Sequence, residues 1–271
     1  MEQYMSIKLI AVDLDGTITE NSGQLVSKEN LEAVYAAQKA GVFVTIATGR
    51  GCLASKTFWK QLHIEGPAIQ FGGAWTIDTR TEQLLDANPL SPELVQQILE
   101  YAHTLGVAAQ IYAGDTVVVE KTNPFSELYV TKNRLPYRED TNIRQCQYDN
   151  VPKVLAFVDI ADEARVLQLF AERFEGRAHV TRSQPTFIEI NACGVSKATA
   201  LSRLAERMHI DRSEVAAIGD SFLDLDMIQW AGHGVCVADG VQIVQDAADI
   251  IVPACAENGV AYYIEHYVLD K

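Results

Sequence analysis

The sequence has no long hydrophobic run, few cysteines and a deficit of positive charge. None of its apolar segments approaches the roughly 18 uninterrupted residues that a membrane-spanning helix needs. The first residues carry neither a basic region nor a small-residue cleavage site. The five cysteines among 271 residues are scattered and include no C-x-x-C pair, which argues against a disulfide framework or a zinc knuckle. We therefore expect a cytoplasmic protein that neither spans nor binds a membrane.

The excess of acidic residues argues against polyanionic partners. Lys and Arg number 22 against 36 Asp and Glu, which gives a net charge of −14. Such a chain repels polyanions, so we expect no binding to nucleic acid. An anionic small molecule can still bind where a local cation overrides the overall field. The composition, 48% hydrophobic, predicts a real core, and the length predicts one large or two modest domains.

Both ends of the chain alternate short apolar runs with helical patterns. Strands are predicted at 7–12, 42–47, 68–71, 215–219, 234–237 and 250–252. Helices are predicted at 27–41, about 51–62, 197–208, 222–230 and 259–268. This alternation is typical of an α/β fold in which helices cover both faces of a parallel sheet.

The middle of the chain has a different pattern. A helix with Pro92 at its first position ends near Gly106, and the runs at 107–112 and 116–120 predict a hairpin. Further segments predict a strand, a helix and two strands at 154–158, 162–174, 178–181 and 187–190. We interpret residues 84–190 as an α+β unit inserted into an α/β core that comprises 1–83 and 191–271.

The most informative motif is Asp13-Leu14-Asp15-Gly16-Thr17, which directly follows the first predicted strand. Ligands of open α/β sheets lie beyond the carboxyl ends of the strands, so both carboxylates can face one pocket. Gly16 lets the chain turn, and Thr17 is expected to form a hydrogen bond within the loop. An Asx turn or a calcium-like surface site is the alternative for this motif taken alone.

The chemistry that suits two such carboxylates is phosphoryl transfer through an aspartyl-phosphate. Asp13 would attack phosphorus, while Asp15 would protonate the leaving oxygen and later deprotonate water. Because like charges this close do not all ionise without a cation, the motif also implies a hard divalent metal ion.

Three further segments follow in order along the chain. Thr48-Gly49-Arg50 ends the second strand, where its hydroxyl and N–H groups can hold a phosphate or simply start a helix. Lys197 begins a helix, where it can neutralise phosphate charge or be an ordinary solvated lysine. Gly219-Asp220-Ser221-Phe222-Leu223-Asp224 follows a strand and offers acids for a metal site or for helix capping. The conjunction of all four motifs favours the phosphoryl-transfer interpretation.

In this order the motifs resemble those of the haloacid dehalogenase (HAD) superfamily of phosphatases, in particular its Cof-type branch with a large inserted cap. The resemblance covers essentially the whole chain. It implies a Rossmann-like core with a parallel sheet and an α+β cap. It also implies that Asp13 is the nucleophile, that Asp15 is the general acid and base, and that the phosphoryl group is held by Thr48, Gly49 and Lys197.

The same resemblance implies Mg²⁺ as the cofactor. Its ligands would be the carboxylates of Asp13 and Asp220 and the backbone carbonyl of Asp15. Asp224, Ser221 and Arg50 are expected to support these groups, with Asp224 acting through water or through Lys197.

The chain departs from the family pattern at three positions. The last motif usually reads G-D-N-x-N-D, but Ser221 and Leu223 replace its two asparagines. The usual N-G-A after the third strand is Gly72-Gly73-Ala74, which removes another amide. Any hydrogen bond from an asparagine side chain at position 223 is lost with leucine.

The predicted function is a Mg²⁺-dependent phosphatase, monomeric or homodimeric, that hydrolyses a small phosphorylated metabolite, in particular a sugar phosphate. Two alternatives stay open: a phosphotransferase or mutase of the same superfamily, and a non-catalytic regulator that binds a sugar phosphate. Substrate selectivity is expected to lie in the cap. The loop 113–115 and the turn 182–186 are its candidate contacts.

Overall fold

The computed structural model describes residues 7–19 and 25–269 of the chain. These residues form two compact units. The first contains residues 7–19, 25–50, 55–85 and 196–269, and the second contains residues 51–54 and 86–195.

A parallel sheet of five strands forms the centre of the first unit. Its spatial order is β14 (Ile250–Val252), β13 (His233–Val237), β12 (Val215–Gly219), β1 (Leu9–Val12) and β2 (Phe43–Ile46). Strand β1, the fourth in this order, pairs with β12 on one side and with β2 on the other. All four of its residues are buried, as expected for a strand of a parallel sheet that is covered on both faces.

Helices connect these strands. Their bounds are α1 (Lys28–Lys39), α2 (Cys52–Gln61), α6 (Lys197–Met208), α7 (Leu225–Trp230), α8 (Gln242–Ala247) and α9 (Gly259–Tyr263). After α9 the chain continues as a π-helix over Ile264–Leu269. Leu201 and Leu204 of α6 pack in one core cluster with Leu9. The α/β alternation predicted from the sequence is therefore confirmed.

The third predicted strand is only loosely attached to the parallel sheet. Strand β3 (Pro67–Gln70) joins it through a parallel bridge between Ala47 and Ile69. Its main partner is antiparallel, in a small sheet with the order β3, β4 (Trp75–Asp78) and β5 (Gln83–Ala87). The sequence analysis missed β4 and β5, in which polar residues interrupt the apolar ones, unlike the continuous apolar run of β1.

The second unit is built on a six-stranded sheet. The spatial order is β10 (Ala178–Gln184), β11 (Phe187–Ala192), β9 (Lys153–Phe157), β6 (Ala108–Ala113), β7 (Thr116–Val119) and β8 (Tyr137–Glu139). One face of this sheet packs against α3 (Pro92–Thr104) and α5 (Glu163–Arg173). Their shared core includes Ile98, Ile111 and Phe170.

One helix of the second unit was not predicted. Helix α4 (Pro124–Asn133) buries only Ser126 and Val130 of its ten residues, so it shows no apolar stripe at helical spacing. Its start does carry a recognisable signal, because Asn123 caps the helix and Pro124 occupies its first turn.

No helix within the described ranges combines the length and the apolar character that a membrane span requires.

Candidate active site

The predicted site residues of the core lie where neighbouring parallel strands end. Asp13 follows β1 and Asp220 follows β12, and the Asp13 N–H donates to the carbonyl of Ile218 at 2.9 Å. On the other side of β1, the Ala47 N–H donates to the carbonyl of Val12 at 2.9 Å. Adjacent parallel strands thus bring segments distant in sequence to one edge of the sheet.

A buried lysine joins two of the acids. The Lys197 Nζ lies 2.6 Å from Asp13 Oδ1 and 2.6 Å from Asp224 Oδ1. Lys197 stands at the first position of α6, whose start is fixed by a capping box between Ser196 and Thr199. The capped helix therefore holds the ammonium group between two carboxylates.

Asp224 organises the loop that carries Asp220. Its Oδ2 accepts hydrogen bonds from the backbone N–H groups of Asp220 (3.1 Å) and Ser221 (2.9 Å) and from the Ser221 hydroxyl (2.8 Å). Its other oxygen accepts from Lys197. Asp224 thus positions both Lys197 and the loop 220–221.

Thr17 forms hydrogen bonds both within its own loop and outside it. As predicted, its backbone N–H donates within the loop, to the Leu14 carbonyl at 3.3 Å. Its hydroxyl donates to Asp220 Oδ1 at 2.6 Å, because β1 and β12 are neighbours and place the two loops side by side. Gly16 makes this approach possible, since a Cβ there would lie 2.6 Å from Asp220 Oδ2.

Asp15 is held by Arg50. The guanidinium Nε lies 2.7 Å from Asp15 Oδ2, and Nη2 lies 2.5 Å from Asp15 Oδ1. The same guanidinium lies over the Phe58 ring, 4.9 Å from its centroid. This two-point contact fixes the orientation of the Asp15 carboxylate.

The loop that contains Thr48 is tied down by its backbone. The Thr48 hydroxyl accepts from the Arg50 N–H at 3.1 Å, and the Thr48 carbonyl accepts from the Gly72 N–H at 3.0 Å. The Phe71 N–H donates to the Arg50 carbonyl at 3.0 Å. Thr48 therefore joins the site through Arg50, with Gly49 between them in the same turn.

Two residues to which the sequence analysis gave no role in the site also shape it. Gly73 packs so closely against the start of α6 that a Cβ would lie 2.1 Å from the Ser196 carbonyl oxygen. Asp239 follows β13 and contributes to the electrostatic field at Asp220. Its position after the next strand of the sheet is the signal that would have identified it.

Burial and crowding of acids set the protonation of the cluster. Burial raises the pKa of Asp13 well above its usual range; Lys197 opposes this rise, and Asp224 and Asp220 add to it. Burial and the neighbouring Asp224 raise the pKa of Asp220 to about 7, against the Thr17 hydrogen bond that lowers it. Burial alone would lower the pKa of Lys197, but Asp13 and Asp224 raise it, so the lysine is charged.

These acids fit a divalent cation. Carboxylate oxygens of Asp13, Asp220 and Asp224 lie within 4.8 Å of one another. A single lysine does not neutralise three acids, and the neighbouring carboxylates add to the rise that burial causes in the pKa values of Asp13 and Asp220. Because both oxygens of Asp224 already accept hydrogen bonds, Asp13 and Asp220 are the better metal ligands. Fold and site together define a Rossmann-like α/β protein with an inserted α+β unit and a buried acidic cluster that suits a divalent cation.

The chain belongs to the haloacid dehalogenase-like hydrolase family, as the resemblance of its motifs predicted. A model of this family matches residues 10–264. A solved haloacid dehalogenase-like hydrolase from Bacteroides thetaiotaomicron is similar in fold, with a TM-score of 0.85 and 31% identity, over 96% of this chain and 99% of that one.

Named relatives extend over the same length. The chain is 31% identical over 270 residues to "5-amino-6-(5-phospho-D-ribitylamino)uracil phosphatase YcsE" of Bacillus subtilis (strain 168), which covers 98% of this chain and 97% of that protein. It is 25% identical over 274 residues to "Pyridoxal phosphate phosphatase YbhA" of Escherichia coli (strain K12), covering 98% and 100% respectively.

Proposed function

We propose that the chain is a Mg²⁺-dependent phosphatase that hydrolyses a small phosphorylated metabolite through an aspartyl-phosphate on Asp13. The enzyme class, a phosphoric monoester hydrolase, follows from the family and from the phosphatase relatives. The observation that carries the mechanism is the buried Asp13 carboxylate, which is bound by Lys197 and lies beside Asp220.

In the first step, a carboxylate oxygen of Asp13 attacks phosphorus and the bond from phosphorus to the ester oxygen breaks. Asp15 gives its proton to the departing alcohol oxygen, which otherwise leaves as a poor alkoxide. In this structure both Asp15 oxygens accept hydrogen bonds from Arg50, so the carboxyl group must leave at least one of these contacts to give its proton to the leaving oxygen. Lys197 offsets the charge that develops on the phosphoryl oxygens, and the turn that contains Thr48 and Gly49 holds the phosphoryl group.

In the second step, the Asp15 carboxylate takes a proton from water, and the water oxygen attacks phosphorus. The bond between phosphorus and Asp13 breaks, the Asp13 carboxylate is restored, and inorganic phosphate leaves. Asp15 ends protonated, ready for the next ester. One residue therefore acts as acid in the first step and as base in the second.

Asp13, Asp220 and the backbone carbonyl of Asp15 would hold the Mg²⁺ ion. When bound, this ion neutralises the crowded carboxylates and polarises the phosphoryl group. Asp224 and Ser221 support it by holding the loop of Asp220 in place.

The substrate that we favour carries its phosphate on a sugar-like, polyhydroxylated arm. The phosphorylated ribityl group in the name of the Bacillus subtilis relative supports this class. Pyridoxal phosphate, in the name of the Escherichia coli relative, is a phosphate ester of similar size without such an arm. Substrate class is therefore the point that the test must resolve.

The test is release of inorganic phosphate from p-nitrophenyl phosphate, glucitol 6-phosphate and pyridoxal phosphate, with and without Mg²⁺. Asp13→Asn removes the nucleophilic charge and one metal ligand, so we expect at least a ~10³-fold loss of kcat while the fold is retained. A variant that keeps a tenth of the wild-type rate would exclude the aspartyl-phosphate. Adding free glucitol and looking for a new phosphate ester separates hydrolysis from phosphoryl transfer.

A further inference from the structure

A further acid, Asp239, lies at the edge of the acidic cluster in the first unit. It comes just after β13, which is the strand next to β12 in the sheet. Asp239 is exposed, and no ion pair of the described residues includes it. Lys197 is already bound by Asp13 and Asp224. The negative charge of Asp239 therefore acts on its surroundings without a cation beside it in the described part of the chain.

The loop that carries Asp239 packs directly on Asp220. The Val241 N–H donates to the Asp220 carbonyl at 2.8 Å. At the position between them, a Cβ on Gly240 would lie 3.1 Å from the Asp220 Cα. Asp239 is thus held close to a proposed metal ligand by the backbone of its own loop.

The field of Asp239 reaches groups in and beside the cluster. Burial is the largest cause of the raised pKa of Asp220, Asp224 adds to it, and Asp239 adds to it further. Burial also raises the pKa of the Cys236 thiol to about 12, with contributions from the same three carboxylates. A field that opposes the loss of a proton favours a bound cation by the same electrostatic attraction.

Asp239 also has a structural contact, from which its charge must be separated. Its Oδ1 accepts a hydrogen bond from the Cys255 N–H at 2.9 Å, at the start of the short helix Cys255–Glu257. An asparagine side chain offers a carbonyl oxygen to the same N–H group but carries no charge. Asp239→Asn therefore removes the charge while it keeps an acceptor for this hydrogen bond.

We propose that the charge of Asp239 raises the affinity of the site for Mg²⁺ and lowers its affinity for inorganic phosphate. Asp239 acts through its field and is not a ligand of either ion. The same charge thus helps to retain the cation and to release the product. This inference rests on the proposed phosphatase function and deepens it, because it assigns a residue that sets the binding of the cofactor and the product.

Elementary electrostatics gives the size and the sign of the effect. At a separation of about 10 Å in water, one unit charge changes the binding of a divalent ion about 3–5-fold. The change is favourable for Mg²⁺ and unfavourable for a phosphate dianion. Damage to the loop would instead weaken the binding of both ions, so opposite signs identify a role of the charge.

The experiment is titration calorimetry on the wild type and Asp239→Asn, in about 0.05 M KCl. Mg²⁺ is titrated alone, and inorganic phosphate is titrated at saturating Mg²⁺. We expect Asp239→Asn to raise the Kd for Mg²⁺ about 3–5-fold and to lower the Kd for phosphate about 2-fold. Both differences should shrink in about 0.5 M KCl, because salt screens the field of an exposed charge.

The matched control is Asp246→Asn, which removes an exposed carboxylate on α8 of the same unit and should keep both Kd values of the wild type. Asp239→Ala removes the acceptor for Cys255 as well as the charge, and it should shift both Kd values in the same directions as Asp239→Asn.

Unchanged Kd values in folded Asp239→Asn, or shifts of the same sign for both ions, would overturn the inference. Should Asp239→Asn fail to fold, the signs of the two shifts in Asp239→Ala decide in the same way. A wild type that binds no Mg²⁺ and hydrolyses no phosphate ester would refute the proposed function itself, which is a separate outcome.

Discussion

Asp224 explains how this chain tolerates its departures from the family pattern. The Ser221 hydroxyl and N–H group both donate to Asp224 Oδ2, so serine supplies a side-chain donor at a position where the family usually has asparagine. Leu223 has no polar side-chain group, and the loop is instead closed by the Asp224 N–H, which donates to the Ser221 carbonyl at 2.9 Å. The geometry of Asp220 thus depends on Asp224 and Ser221.

Asp15 gives the first prediction at this scale. A general acid matters most when the leaving group is a poor one, such as a sugar alkoxide, and less when it is p-nitrophenolate. Asp15→Asn should therefore lower kcat on glucitol 6-phosphate at least ~10-fold more than on p-nitrophenyl phosphate. Steady-state kinetics on both esters measure the difference. Equal losses, with burst kinetics showing that formation of the phosphoenzyme limits both, would rule out the acid role.

Asp220 gives a prediction about pH. Its pKa in the metal-free fold is about 7, raised from 3.8 mainly by burial. A raised carboxyl pKa means that the folded state binds the proton more tightly than the unfolded state. The metal-free protein therefore loses stability from this group as pH rises from about 4 to about 7. Mg²⁺ competes with that proton for the carboxylate.

We accordingly expect millimolar Mg²⁺ to raise Tm at about pH 8 and to have little effect at about pH 5. Thermal unfolding at the two pH values, with and without the ion, measures this difference. Asp220→Asn should abolish the gain at the higher pH. A Tm shift of the same size at both pH values would contradict the assignment of Asp220 as a ligand.

Among the contacts between elements, the close approach of Gly73 to the start of α6 gives the sharpest prediction for a single substitution. Gly72 and Gly73 both have positive φ values, 67° and 100°. A Cβ on Gly72 meets nothing within 4 Å, whereas a Cβ on Gly73 would lie 2.1 Å from the Ser196 carbonyl oxygen. Alanine at the two positions can therefore be compared. Gly72→Ala introduces backbone strain alone, whereas Gly73→Ala introduces backbone strain and also displaces the start of α6.

Gly72→Ala should cost about 1 kcal/mol of unfolding free energy, from the positive φ alone. Gly73→Ala should cost about 3 kcal/mol and should also lower kcat, because it pushes the helix start that carries Lys197. Urea unfolding and phosphatase assays on both variants supply the comparison. Equal effects of the two substitutions would mean that the close contact is unimportant.

The elements that could be predicted are those whose burial is complete or one-sided. The residues of β1 and β12 are buried throughout, and α3 has a clear apolar stripe, so their apolar patterns predict them. Helix α4 was missed because it buries few residues. The antiparallel pairing of β3 was missed because pairing depends on a partner, β4, that local pattern did not reveal.

The same limit applies to the site. Order along the chain and position after strands predicted that Asp13, Lys197, Asp220 and Asp224 would be candidates, and the structure brings them together. The sequence did not predict which of these side chains form hydrogen bonds with each other. The Thr17–Asp220 and Arg50–Asp15 contacts join loops whose proximity follows only from strand order.

For the whole molecule, the division into two units predicts that selectivity and chemistry can be separated. Every candidate catalytic residue lies in the first unit, and the second unit contains none of them. We propose that the second unit is the cap that discriminates among esters which share a phosphate. Replacing residues 86–195 with the corresponding unit of a relative should move the substrate profile and leave Mg²⁺ dependence intact. A profile that stays with the first unit would refute this division.

Strands β1 and β12 pair in the sheet but lie far apart in the sequence, and this affects folding during translation. Leu9 pairs with Val215, so β1 has no β12 beside it until most of the chain has left the ribosome. The strands of the six-stranded sheet lie between 108 and 192 and are all translated earlier. At about 5–20 residues per second, Asp13 waits roughly ten seconds or longer for Lys197 and Asp220 to be translated. A chain released before Lys197 carries Asp13 without Lys197 or Asp220, and under the proposed mechanism we expect it to be inactive.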